Sequence, residues 1–118
     1  MRSDLYEKMK PFLGNEQELC RRMAGQMDLW EECVRLFPRE EILKEAEDAL
    51  REEAYGDCYK VVHRLKGNLA NFGFDGTAEK AMKLLQSIKE NDVVHINAGY
   101  EELKREYLQI IERIGEAE

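Results

Sequence analysis

The residues with the clearest chemical potential lie together in the middle of the chain, around His63. Lys66 and Gly67 follow this histidine at spacings of three and four, so in a helix both lie one turn further along the same side. An accessible imidazole nitrogen is a nucleophile, and a lysine one turn away stabilises an anion bonded to it. The anion that suits this pair best is a phosphoryl group.

An apolar stripe indicates that His63 faces away from a helix-bundle core. The apolar residues of this segment recur at spacings of four and three, namely Cys58, Val62, Leu65, Leu69 and Phe72. At roughly 100° per residue, His63 points about 140° away from the middle of that stripe. Gly67 agrees with an exposed side, because glycine inside a helix costs about 1 kcal/mol relative to alanine. Its presence is expected where a side chain would obstruct an approaching partner.

The segment resembles the signature of histidine-containing phosphotransfer domains. That signature is His-x-Leu-Lys-Gly with a second glycine ten residues after the histidine, and the matching residues are His63, Leu65, Lys66, Gly67 and Gly73. The resemblance, which runs from about residue 15 to about residue 114, implies that His63 accepts a phosphoryl group from a receiver-domain aspartyl phosphate. His63 then passes it to another receiver domain. Lys66 is expected to support the phosphoryl oxygens, whereas Gly73 is expected only to stop the helix.

Three further residues are candidates for contact with the partner. Tyr59 and Lys60 lie one turn before His63, and Ala70 lies two turns after it on the same side. The alternative for Tyr59 and Lys60 is that they simply face water, as such residues usually do. His95 has no motif around it and is assigned no role.

The same resemblance bears on cofactors and partners. It implies that the chain binds no cofactor and that the Mg²⁺ needed for transfer comes with the receiver partner. The chain has no Gly-x-x-x-x-Gly-Lys loop, so we expect a phosphotransfer intermediate without its own ATP site rather than an enzyme. The expected partners are response-regulator receiver domains, among them that of a hybrid histidine kinase, and the expected state is a monomer. Two histidines in different contexts do not suffice for a metal-binding bundle.

The composition of the chain argues against two classes of partner. Aspartate and glutamate total 25 against 18 lysines and arginines, a net charge of −7, which argues against nucleic acid and anionic membranes as partners. No segment approaches transmembrane length and the N-terminus lacks the apolar core of a signal peptide, so a cytoplasmic location is expected. The three cysteines lack metal-ligand spacing and are expected to be reduced core thiols: Cys20, Cys33 and Cys58.

The helical periodicity predicts an all-α fold, an up-down antiparallel four-helix bundle with additional short N-terminal helices covering one end. Residues 1–14 are expected to form an N-terminal helical extension and residues 15–118 the phosphotransfer domain. Residues 55–57 are expected to connect two helices, with Gly56 ending one and Asp57 capping the next. The inner faces are predicted to include Leu29 in the third helix and Met82 in the helix after Gly73.

Two other functions stay open from the sequence. The first is the dimerising phosphoacceptor domain of a histidine kinase, although such domains resemble His-Glu-x-x-x-Pro, whereas Arg64 follows His63 here. The second is a bundle that docks a receiver domain without accepting phosphate.

Overall fold

The computed structural model describes residues 4–37 and 40–116, and the regular elements in these ranges are all helical. In order they are α1 (Asp4–Met9), a 3₁₀ helix (Lys10–Phe12), α2 (Glu16–Arg22), α3 (Met27–Arg35), α4 (Glu40–Arg51), α5 (Tyr55–Asn71), α6 (Asp75–Lys89) and α7 (Val93–Glu116). The predicted all-helical class is confirmed. Ser3 is a predicted helix cap and Pro38 a predicted first-turn residue, and both lie outside the described residues.

The four long helices pack around one core. Successive helices are in contact from α4 to α7. Helix α7 also reaches α4, because the Tyr100 hydroxyl donates to the Leu43 carbonyl oxygen at 3.2 Å and Lys104 Nζ lies 2.6 Å from Glu47 Oε1. The apolar residues that recur at spacings of four and three along α7 are predicted to face the core, and all are buried: Ile96, Tyr100, Leu103, Tyr107, Ile110 and Ile114.

Two residues assigned to inner faces are exposed instead. Leu29 is 46% exposed and Met82 is 56% exposed, so both predictions were wrong. In α3 the buried line passes through Trp30 and Val34, and in α6 it passes along the side of Ala81. Each misplaced residue is adjacent in sequence to a buried one and is therefore rotated by about 100° from it. The tertiary packing decides which of two neighbouring apolar residues faces inward.

The connection before α5 also differs from the prediction. Helix α4 ends at Arg51 and α5 begins at Tyr55, so Gly56 and Asp57 lie in the first turn of α5 and do not form the connection. The chain reverses at Glu53, whose φ of 56° is left-handed. The glycine gave the stronger turn signal, but a glycine is tolerated in a first helical turn.

The end of α5 follows the predicted pattern. Gly73 has φ of 84° and ends the helix, a backbone conformation that glycine adopts without steric cost. The amide of Phe74 then bonds back to the Leu69 carbonyl oxygen at 2.9 Å, and the Phe74 side chain is fully buried. Asn15, a residue type that predicts a helix cap, does cap α2, since its Oδ1 accepts the Glu18 amide at 2.9 Å.

The N-terminal segment, residues 4–37, packs where α5 turns into α6. Helix α1 contacts α7, and the 3₁₀ helix contacts α6. The ring of Phe37 lies 5.3 Å from that of Phe72, 5.7 Å from that of Phe74 and 5.5 Å from that of Tyr107. This aromatic cluster anchors the segment to the end of the His63 helix.

Candidate functional site

His63 lies near the middle of α5 with its side chain exposed, as its angular offset predicted. The opposite side of the helix is the core side, where Cys58, Val62, Leu65 and Leu69 are buried. Phe72, the last residue of the predicted stripe, is half-buried at the helix end. The fold therefore presents an imidazole to solvent from a helix that is fixed along its whole opposite face.

An aromatic ring flanks His63 on the N-terminal side. The Tyr59 and His63 rings are stacked, with centroids 6.2 Å apart and planes inclined by 19°. Lys89 Nζ, from the end of α6, lies 5.7 Å from the centre of the Tyr59 ring. Sequence reasoning gave Lys89 no role, because its approach depends on how α6 packs against α5.

The C-terminal side of His63 is open. A Cβ atom placed on Gly67 would meet no other atom within 4 Å, apart from its own helix backbone and chain neighbours. Lys66 is half-buried, and no carboxylate in the described ranges pairs with it or with Lys60. Both ammonium groups are thus available to an anion brought by a partner.

Arg64, the residue next to His63, is directed away from this site. Its Nη2 atom lies 2.7 Å from Glu45 Oε2, so its charge is paired with α4. We therefore assign Arg64 no contact with a group bound at His63.

Ala70 occupies the predicted side of α5, and a residue from the N-terminal segment reaches it. Arg22 Nη1 donates to the carbonyl oxygens of Ala70 at 2.7 Å and Asn71 at 3.2 Å. Arg22 is exposed and lies in α2, 48 positions before Ala70. Sequence reasoning missed this residue, and no local pattern signals it, because the contact exists only after α2 packs on the end of α5.

The other histidine and the cysteines of the described ranges were the remaining candidates for a second site. Within the described ranges, no group of three or more histidines, cysteines, aspartates or glutamates is arranged to hold a metal ion. No disulfide joins the three cysteines in the described ranges, and only Cys58 is buried, whereas Cys20 and Cys33 are half-buried. Burial raises the pKa of the Cys58 thiol to about 11. A thiol with that pKa is inert at neutral pH.

The second histidine has a structural partner. His95 Nδ1 lies 2.6 Å from Asp92 Oδ2, at the start of α7. The hydrogen bond from His95 lowers the pKa of the Asp92 carboxyl. This pairing explains His95 without a functional role.

Comparison with known families decides the classification. The family model of the Hpt domain matches residues 39–113. The chain belongs to the Hpt domain family. Hpt domains are histidine-containing phosphocarriers in phosphorelay signalling and interact with receiver domains. The matched region contains His63, Lys66 and Gly67, and the resemblance inferred from the motif is confirmed at the level of the family.

The other comparisons add no relatives. Neither the curated proteins nor the solved structures gave a match to this chain. The family match covers α4 to α6 and most of α7, so the division into an extension of residues 1–14 and a domain of residues 15–118 stays a prediction. No helix in the described part of the Hpt chain has the length and apolarity to span a bilayer.

Proposed function

We propose that this Hpt chain is a phosphoryl carrier in a multistep His–Asp relay, with His63 as the phosphoacceptor. The observation that supports this most is the exposed imidazole of His63 beside the open space at Gly67. In-line transfer requires the phosphoryl donor to approach a ring nitrogen of His63 directly. Because Gly67 has no side chain, there is room for that approach. Within this proposal, the chain works in the cytoplasm with receiver domains.

The transfer step is a substitution at phosphorus. The unprotonated imidazole nitrogen of His63 attacks phosphorus while the bond between phosphorus and the aspartyl oxygen of the receiver breaks. The bonding electron pair leaves with the receiver carboxylate, and the imidazole keeps the proton on its other nitrogen. Passing the phosphoryl group to a second receiver reverses these steps, with an aspartate of that receiver as the nucleophile.

Charge stabilisation comes from both partners in this proposal. Lys66 lies one turn from His63 and has no carboxylate partner among the described residues, so its ammonium group is free to approach the phosphoryl oxygens. The Mg²⁺ that neutralises the remaining charge belongs to the receiver domain. Tyr59 and Lys60 contact the rim of the docked receiver, and Ala70 lies beneath it.

The helix arrangement supports a carrier formed by one chain. The pairs between α6 and α7 indicate that these two helices are antiparallel. Thr77 hydrogen-bonds Glu106, whereas Lys80, which lies further along α6, bonds Glu102, which lies earlier in α7, at 2.7 Å. With connections of three residues between the long helices, we take them as an up-down antiparallel bundle. A kinase dimerisation domain would need a second chain to complete its bundle. A monomeric mass measured in solution would therefore favour the carrier.

The decisive experiment is transfer from a phosphorylated receiver. A panel of receiver domains from the same organism is phosphorylated with acetyl phosphate. The excess acetyl phosphate is removed, and each receiver is then mixed with the chain. Wild type and the exposed-histidine control His95→Gln should acquire phosphate that is labile to acid and stable to base. His63→Gln should acquire none and should keep its helical circular dichroism and melting temperature, since an exposed polar residue contributes little to stability. Phosphate on His63→Gln, or none on wild type from any receiver, would contradict the proposal.

A further inference from the structure

The N-terminal segment donates hydrogen bonds to carbonyl groups at the end of α5. The last carbonyl groups of a helix have no amide partner within the helix. Beyond the two carbonyl oxygens bound by Arg22, the Phe72 carbonyl oxygen accepts Trp30 Nε1–H at 3.0 Å. The Gly73 carbonyl oxygen accepts the Gly14 amide at 3.0 Å. Three separate parts of the segment thus hold the helix that carries His63.

Of these three donors, Arg22 is the one with a charge and an exposed side chain. Trp30 is fully buried, and Gly14 contributes only backbone. Arg22 has no carboxylate partner among the described residues, whereas the adjacent Arg21 is bound to Glu18 through Nη2 at 2.5 Å. A guanidinium that donates to two carbonyl oxygens through Nη1 still has donors free for another group.

The position of Arg22 relative to His63 places it within reach of a docked partner. Ala70, to which it is bound, lies seven residues after His63, which corresponds to about 10 Å along the helix and about 20° around it. A standard protein interface covers about 800 Å² on each partner, equivalent to a disc of about 16 Å radius. A receiver centred on His63 therefore covers Ala70 and the guanidinium beside it.

The charges around His63 indicate the chemistry of that partner. Lys60 and Lys66 lie one turn either side of His63, Lys89 lies over Tyr59, and Arg22 lies at Ala70. In the described chain these four cations lack carboxylate partners, although the protein carries a net charge of −7. Several lysines elsewhere are paired, as Lys80 is with Glu102 and Lys104 with Glu47. A partner with an acidic rim complements this surface.

We propose that Arg22 extends the receiver-docking surface beyond the family-matched region and binds an acidic group on the rim of the receiver. The inference rests on the proposed function, because it takes a receiver domain as the occupant. A receiver that binds Mg²⁺ needs carboxylates around its own reactive aspartate, which gives its docking face the required negative charge. The N-terminal segment then contributes to the choice of receiver, and the family-matched region alone does not determine it.

The test compares Arg22→Gln with Arg21→Gln. The probe is the receiver domain of the panel that phosphorylates His63 fastest, and its dissociation constant is measured by calorimetry at low and high salt. Arg22→Gln should weaken binding about threefold to fivefold at low salt, with a smaller effect at high salt because salt screens exposed charges. Arg21→Gln should bind within about twofold of wild type, and Arg22→Lys should recover part of the loss because it keeps the charge.

The outcomes separate this inference from the proposed function. Equal binding by Arg22→Gln and Arg21→Gln would overturn the inference, while phosphorylation of His63 would leave the function standing. A loss of affinity that is independent of salt, together with faster hydrogen exchange of the Gly73 and Phe74 amides, would also overturn it and leave Arg22 as a purely structural cap. If no receiver phosphorylates wild type, the proposed function fails. This inference then fails as well, because it requires a receiver domain as the bound partner.

Discussion

The Tyr59 ring stacks on the imidazole of His63 with centroids 6.2 Å apart, while no atom occupies the space above Gly67 on the other side. We therefore expect different roles for the two neighbours. The tyrosine is expected to limit how the imidazole turns toward the N-terminal end of α5, and the glycine to leave the C-terminal side free for a phosphoryl donor.

This stacking predicts a role for the ring rather than for the hydroxyl of Tyr59. Tyr59→Phe should transfer phosphate at the wild-type rate, because the stacked ring is kept. Tyr59→Ala should slow transfer several-fold, since an imidazole with more rotational freedom is less often oriented for attack. Single-turnover transfer rates would show this, with melting temperatures recorded to identify any loss of fold. Equal rates for the two variants would mean that the stacking does not orient His63.

Lys66 is expected to affect the rate of transfer and not its occurrence. Lys66→Ala removes a charge near the phosphoryl oxygens and leaves the nucleophile in place, so transfer should slow about tenfold to a hundredfold without disappearing. The matched control is Lys44→Ala on α4, which removes an exposed lysine far from His63 in sequence and paired with Asp48. Rates that fall equally in both variants would indicate a general effect of net charge.

The sequence predicted the site helix well because five apolar residues in one stripe leave little freedom in how the helix is rotated. It predicted the connection before α5 poorly, because Gly56 suggested a turn that the chain makes at Glu53. Arg22 and Lys89 were beyond sequence reasoning, since each reaches the site only through packing between helices distant in sequence. Local periodicity indicates the buried side of a helix, with errors at its edges such as Leu29 and Met82. It does not indicate which residues of other helices border the exposed side.

Gly14 is expected to be required for attachment of the N-terminal segment. A Cβ atom at this position would lie 2.0 Å from Asp75 Oδ2 and 2.8 Å from Asp75 Cβ, which forces either the loop or the start of α6 to move. Gly14→Ala should therefore lower the free energy of unfolding by about 1–3 kcal/mol. Gly115→Ala is the control, because a Cβ there meets nothing within 4 Å. Denaturant unfolding of both variants measures the difference, and equal stability would show that the contact relaxes without cost.

The most specific prediction concerns Gly67, where stability and transfer should change in opposite directions. Because a Cβ at Gly67 meets open space, Gly67→Ala should raise the free energy of unfolding by up to about 1 kcal/mol through helix propensity. Gly67→Gln and Gly67→Leu should also fold. Both should nevertheless impair transfer, because a side chain one turn from His63 stands where the receiver must close on the imidazole. A displacement of about 1 Å costs roughly a hundredfold in rate.

Gly76 provides the matched control for this series. It lies in the first turn of α6, and a Cβ there also meets no atom within 4 Å. Gly76→Gln should therefore fold and transfer phosphate at the wild-type rate, since its side chain projects from the first turn of α6 and not from the helix that carries His63. Melting temperature and single-turnover rate are measured on both series with the same receiver. Wild-type rates for Gly67→Gln and Gly67→Leu would show that Gly67 does not provide clearance, and the direction of receiver approach inferred from Tyr59 and Gly67 would then be wrong.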